Sequence, residues 1–258
     1  MNDTQLSTPS AHARLQGQVA LVTGASAGIG AATALALAAE GAAVALVARR
    51  QERLEVLAGQ IRAAGGQALV IGADLNDAEQ ARATVTRAVS ELGRLDILVN
   101  NAGLMLLGPV ADADASDWER MMTLNVLTLM HLTQAAVQVM KPQGRGHIVN
   151  ISSVSGRGAG PTSAGYSASK WAVGGFSEGL RQEVRLHGIR VTVIEPGVVA
   201  TELTDHITHA ATKAAYESRI SEMTPLEAED VAAAVVYATT QPQRVNVNEI
   251  LIRPLDQG

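Results

Sequence analysis

The feature that most restricts this chain is an alternation, along almost its whole length, of short branched-aliphatic runs with longer stretches of helical periodicity. Strands covered on both faces read as unbroken Val/Ile/Leu runs, and "VALVT", "DILVN" and "VTVIE" have that character. Strands are expected at 18–23, 43–48, 68–72, 96–100, 147–152, 190–195 and 249–252, and helices at 29–40, 51–64, 77–92, 116–140, 164–186 and 228–239. Repetition of strand, helix, strand implies parallel pairing through right-handed crossovers. The fold class expected is α/β: a single-domain, Rossmann-type doubly wound parallel sheet of about seven strands with helices on both faces.

The 258 residues suit one domain, and 47% apolar residues are enough to build its interior. Residues 1–16 are polar and are expected to form a flexible tail before a folded domain at 17–258. The segment 197–226 is too long for an ordinary connection and is read as an irregular lid at the carboxyl edge of the sheet. Aromatic residues make up 2%, acidic residues outnumber basic ones 25 to 20, and no Lys/Arg block occurs, which excludes a nucleic-acid partner. The absence of cysteine removes disulfides, thiolate nucleophiles and cysteine-bound zinc. No stretch reads as a membrane span or an apolar leader, so a cytoplasmic protein with no membrane partner is expected.

The first strand runs into Thr23-Gly24-Ala25-Ser26-Ala27-Gly28-Ile29-Gly30 and then an Ala-rich helix. Glycines there let bare backbone approach a pyrophosphate, and the helix start offers N–H donors and a positive dipole end. The spacing differs from the generic G-x-G-x-x-G, and a glycine turn after a strand also occurs simply as a turn. The second strand ends Val47-Ala48-Arg49-Arg50, without the acid that would accept bonds from a ribose 2′-hydroxyl. Two guanidiniums can grip a 2′-phosphate, which favours NADP(H) over NAD(H); the plainer reading is a solvated pair opening the next helix.

Tyr166 and Lys170 stand at i and i+4 near the start of an expected helix, so both side chains leave one face. A cation one turn away favours the phenolate and is expected to lower the tyrosine pKa toward the useful range. Ser153 follows the fifth strand, Asn100-Asn101-Ala102-Gly103 ends the fourth, and Pro196-Gly197 ends the sixth, all at the edge where such folds build their sites. His206 and His209 are read as solvated lid residues, and Asp112, Asp114 and Asp117 as helix caps. Met105, Leu106 and Leu107 suit either a substrate wall or core packing.

In that combination and order the sequence resembles the short-chain dehydrogenase/reductase family, over residues 17–253. The resemblance implies Tyr166 as general acid/base, Lys170 lowering its pKa and holding the nicotinamide ribose, and Ser153 polarising a substrate carbonyl. It implies that Asn125 supports a proton relay through water. Cofactor contacts would fall on Gly24, Ser26, Gly28, Ile29, Gly30, Asp74, Leu75, Asn101, Val199 and Thr201, with Tyr166 and Lys170. Arg49 matches the position that grips the 2′-phosphate in NADP-preferring members. Ala27 departs from those members that carry a basic residue inside the turn, leaving the phosphate to Arg49 and Arg50.

A narrower likeness, in residues 201–209 and 248–254, is to the branch that includes clavulanic acid dehydrogenase, an NADPH-dependent aldehyde reductase. The function expected is an NADPH-dependent carbonyl reductase or alcohol dehydrogenase acting on a small-molecule carbonyl or alcohol, with a homotetramer implied by resemblance and no metal. The alternatives are an NAD-linked dehydrogenase or epimerase of the same fold, and a non-catalytic dinucleotide sensor.

Overall fold

The computed structural model describes residues 13–257. β1 (Val19–Thr23), α1 (Gly28–Ala39), β2 (Ala43–Ala48), α2 (Gln51–Ala63), β3 (Ala68–Gly72), α3 (Ala78–Leu92) and β4 (Ile97–Asn100) come first. Next are α4 (Ala115–Met122), a π-helical turn (Thr123–Leu127), α5 (Thr128–Gln143), β5 (Gly146–Ile151), α6 (Ala164–Val184) and β6 (Ile189–Pro196). α7 (Ala210–Ser221), α8 (Ala228–Thr239) and β7 (Glu249–Ile252) follow. Among the described residues these strands form one sheet in the order β3-β2-β1-β4-β5-β6-β7, with every pairing parallel.

The period of two along a strand divides the core. Ala20 and Val22 of β1 pack toward Leu37 of α1, Leu54 of α2 and Val235 of α8. Leu21, between them, faces the other way toward Val85 of α3, Leu132 of α5 and Leu180 of α6. Each such Val or Leu contributes roughly 1.5–3 kcal/mol by leaving water, so a slip of one residue would expose both sets at once. Small residues let the helices approach closely: Ala32 and Ala36 meet Ala228 and Ala232 where α1 lies on α8. The order reverses between β1 and β4, which opens a crevice outside the carboxyl ends of the strands.

Three details differ from the sequence expectation. The long helix expected at 116–140 is divided into α4, the π-turn and α5. Asn125 sits in that turn and spends its amide on Leu104 and Ser169, contacts that no local pattern encodes. The segment 197–226 is not irregular: it carries a 3₁₀ turn (Glu202–His206) and α7. α7 buries only Thr212 and so presents no apolar stripe to the reader of the sequence; His209 caps it by accepting from Thr212 N–H at 3.2 Å. Backbone bonds clasp the ends of this segment, Ala200 N–H to Leu226 O (2.8 Å) and Leu226 N–H to Val198 O (3.0 Å).

The tail expected at 1–16 lies outside the described residues up to position 12. Residues 14–16 are instead anchored, because Leu15 is buried in the core and donates its N–H to Glu40 O at 2.8 Å. Among the described residues no helix is long and apolar enough to cross a membrane.

Candidate active site

A cleft of about 1050 Å³ lies at the carboxyl edge, over the point where the strand order reverses. Gly24, Ser26, Gly28 and Ile29 line it from the turn after β1, Arg49 and Arg50 from the end of β2, and Asp74 and Leu75 from the end of β3. Asn101, Ser153, Tyr166, Lys170, Val199 and Thr201 line the remainder. Of the catalytic and cofactor-binding residues expected from the sequence, only Gly30 and Asn125 stand behind its walls.

The glycine turn suits a dinucleotide pyrophosphate. Gly28 has φ of +51°, and a Cβ there would lie 2.9 Å from Thr201 Cγ2. A Cβ on Gly30 would strike the carbonyl oxygen of Gly24, so helix and turn close together only without side chains. The helix behind it has Ala27 at its N-cap and no side-chain cap, which leaves the first-turn N–H groups beside the cleft for an anionic ligand. Asn101 fastens the turn to β4, donating from Nδ2 to Thr23 O at 2.9 Å and from its N–H to Thr23 Oγ1 at 2.9 Å. Asp74 Oδ1 accepts from Asn76 N–H and Nδ2, and Leu75 O accepts from Thr128 Oγ1 at 2.6 Å, fixing the edge beyond β3.

The two arginines do different things. Arg49 is exposed and, among the described residues, its side chain has no hydrogen-bond or ion-pair partner. Arg50 is committed: Nε donates to Ser26 Oγ at 3.1 Å and Nη1 to Glu202 Oε2 at 2.6 Å. Arg53 Nη1 completes the arrangement on Glu202 Oε1, also at 2.6 Å. Hydrogen bonds from Arg53 and then Arg50 hold the Glu202 carboxyl down to about 2, although its side chain is 45% exposed. Arg50, expected from the sequence to share a 2′-phosphate with Arg49, is thus already paired within the protein. Glu202 is 152 residues from Arg50, and no local signal joins them.

At the floor, α6 presents Tyr166 and Lys170 from successive turns, and both are buried. Lys170 Nζ lies 5.8 Å from the centre of the Tyr166 ring and donates to Ile151 O at 2.9 Å. Ser153 follows β5, accepts Ser155 N–H at 3.1 Å and brings its hydroxyl beside the Tyr166 phenol. Burial pushes Tyr166 up to about 12, the Ser153 hydroxyl pulls it part of the way back, and Tyr216 opposes that. This corrects the expected lowering by Lys170. The lysine amine is turned to a backbone carbonyl, and burial brings its own pKa down to about 8. At neutral pH Tyr166 is thus a protonated donor.

Asn125 is buried under this floor. Its Oδ1 accepts Leu104 N–H at 2.7 Å, and Nδ2 donates to Leu104 O (2.9 Å) and Ser169 Oγ (3.0 Å). Both amide hydrogens are used, so the side chain acts as a brace between the π-turn, the 104–107 wall and α6.

The other side of the cleft is apolar. Leu104, Met105 and Leu107 line it and also pack with Met121, Tyr166 and Ile207, so this stretch is at once cleft wall and packed cluster. Leu106 is buried behind them. Thr162 has φ of +65° and accepts Gly108 N–H at 2.9 Å, joining that wall to the loop before α6. Arg157 ties the loop after β5 to Glu195 at 2.6 Å and to Glu249. His206 lines the cleft and is exposed, and Asp114 caps α4 through Ser116 N–H at 2.9 Å, both as expected. Among the described residues no cluster of three metal-ligating side chains occurs. Sequence reasoning missed Glu202, Arg53, Arg157 and Tyr216, whose roles arise from partners distant in the chain.

A sequence model of the family described as short chain dehydrogenase matches residues 18–212. An uncharacterized oxidoreductase of Staphylococcus epidermidis is 37% identical over 243 residues, covering 94% of this chain and 100% of that protein. A glycine betaine reductase of Emericella nidulans is 42% identical over 243 residues, 94% of this chain; the chain spans 19% of that protein's length. The crystal structure of a metagenomic short-chain oxidoreductase in complex with NADP superimposes with a TM-score of 0.80 at 34% identity, covering 95% of this chain and 100% of that one.

Proposed function

This chain belongs to the short-chain dehydrogenase/reductase family of oxidoreductases, and from that premise we propose that it is an NADP(H)-dependent carbonyl reductase or alcohol dehydrogenase. The observation that carries the reading is the convergence of Ser153, Tyr166 and, one helical turn on, Lys170, all buried, in the same cleft as the glycine turn. When bound, the nicotinamide supplies the hydride. Tyr166 Oη gives its proton to the alkoxide oxygen as it develops, a direction suited to a phenol held at about 12. Ser153 Oγ donates to the same oxygen, and such pre-arranged donors contribute most where charge accumulates. Lys170 Nζ, steadied by Ile151 O, would hold the nicotinamide ribose, and Asn125, which braces the 104–107 wall, would support the proton relay beyond it. Oxidation of an alcohol uses the same groups in reverse.

NADP(H) is favoured by Arg49 and Arg50 beside Ala48, and by the NADP carried by the metagenomic relative. The segment 197–226 serves as the lid over substrate. Exposed Trp171 and Leu127 on the helices after β5 and β4, 55% and 47% accessible, support the homotetramer implied by resemblance. A cytoplasmic setting fits the cysteine-free sequence. The likeness to an aldehyde-reductase branch carries the reaction type and leaves the substrate open.

A panel of small aldehydes and ketones, with NADPH consumption followed by absorbance, tests the proposal. Turnover of some members with NADPH, and slower turnover with NADH, is expected. A strong preference for NADH overturns the cofactor assignment; dinucleotide binding without turnover of any carbonyl favours a sensor.

A further inference from the structure

The front of the cleft contains an anion of the protein's own beside the arginines assigned to the cofactor. Glu202 is held at 2.6 Å by Arg50 and at 2.6 Å by Arg53, and Arg50 reaches across to Ser26 in the glycine turn. The three elements so joined are the turn after β1, the start of α2, and the first residues of the 197–226 segment. Thr201 packs against Gly28 immediately before, so the carboxylate is delivered to this spot by backbone that already lies on the turn. A carboxylate and a phosphate present similar oxygen pairs to a guanidinium, and both bind it in the same fork geometry.

We propose that Glu202 sets the strength of the preference between the two dinucleotides, by competing with a ribose 2′-phosphate for Arg50 and Arg53. The inference rests on the NADP(H) reading above and deepens it. Arg49, whose guanidinium has no partner among the described residues, gives the 2′-phosphate its first contact. Arg50 is available to the phosphate only to the extent that Glu202 yields it. A dinucleotide without the phosphate does not enter this competition. Glu202 thus moderates selectivity for NADPH, leaving NADH binding almost untouched. It also ties the segment carrying Leu203 and Ile207 into the substrate wall to the cofactor subsite, so the group that reads the phosphate is mechanically joined to the lid.

The test is a fluorescence titration of NADPH and of NADH against the intact protein and against Glu202→Gln, with no substrate and no turnover. Glutamine keeps the shape and removes the charge. The ratio of the two dissociation constants should move toward NADPH by about fivefold or more, the size expected for removing one near-surface charge from an anion's neighbourhood. Glu202→Ala should move it in the same direction. An unchanged ratio, or one that moves toward NADH because Arg50 has lost its orientation, overturns the proposal. Failure of the underlying reading is seen separately, in the unsubstituted protein: it would bind NADPH no more tightly than NADH.

Discussion

The floor and the rim of one cleft are built on opposite electrostatic principles. At the floor, Tyr166 and Lys170 are buried, and burial is the main cause that moves the phenol up to about 12 and the sole cause that moves the amine down to about 8. Their polar neighbours are a hydroxyl and a backbone carbonyl, neutral groups with fixed directions. At the rim, Arg50, Arg53 and Glu202 remain about half exposed, and direct pairing, not burial, holds Glu202 down to about 2. Poorly screened groups suit chemistry, because a proton transfer there feels little of the solvent. Screened charges suit recognition, because a phosphate can exchange with a carboxylate at small net cost.

The comparison breaks most sharply at the phenol. Tyr166→Phe removes the proton that is transferred to the developing alkoxide and should lower kcat about 10³-fold. NADPH affinity, measured by fluorescence, should stay within about twofold. Retained turnover would show that the floor is not the reacting end. The next largest effect is on the fold: Asn125→Ala leaves the N–H and C=O of Leu104 buried without partners, which should cost about 2–4 kcal/mol in denaturant unfolding. A loss under about 1 kcal/mol would mean water replaces the amide and the brace is not needed.

At the rim, Arg49→Ala with Arg50→Ala should raise KM for NADPH by roughly 10–100-fold while changing that for NADH little. Equal effects on both would reduce the pair to surface charge. The smallest effect concerns pH. Lys170 carries its proton below about 8 and loses it as the pH rises through that value, so kcat/KM for carbonyl reduction should fall on the alkaline side with a midpoint near 8. Tyr166, at about 12, stays protonated over the same range and adds nothing to that limb. In Lys170→Arg, whose guanidinium remains charged, the limb should move up and out of the neutral region; an unmoved limb would assign it to another group.

The floor was more legible in the sequence than the rim. Tyr166 and Lys170 lie four apart on a helix, and Ser153 and Asn101 mark strand ends, so local geometry brings them to one edge whatever the loops do. Their presence was readable, but the direction of the tyrosine shift was not, because burial depends on Leu104, Met105 and Ile207 closing over it. At the rim Arg49 and Arg50 could be seen, while their inequality could not. That depends on a carboxylate in a segment whose helical content also escaped the pattern, since α7 buries almost nothing.

By itself the sequence determined the succession of strands, the parallel sheet, the glycine turn and the residues gathered at its carboxyl edge. The reason is that period and spacing act over a few residues, and right-handed crossovers leave little freedom in joining them. Only the tertiary structure decided how each gathered group is charged and occupied: which arginine side chain is unpaired, that Tyr166 keeps its proton, and what Asn125 holds from the π-turn. Those depend on dielectric surroundings and on partners up to 152 residues away, quantities that exist only once the chain has closed on itself.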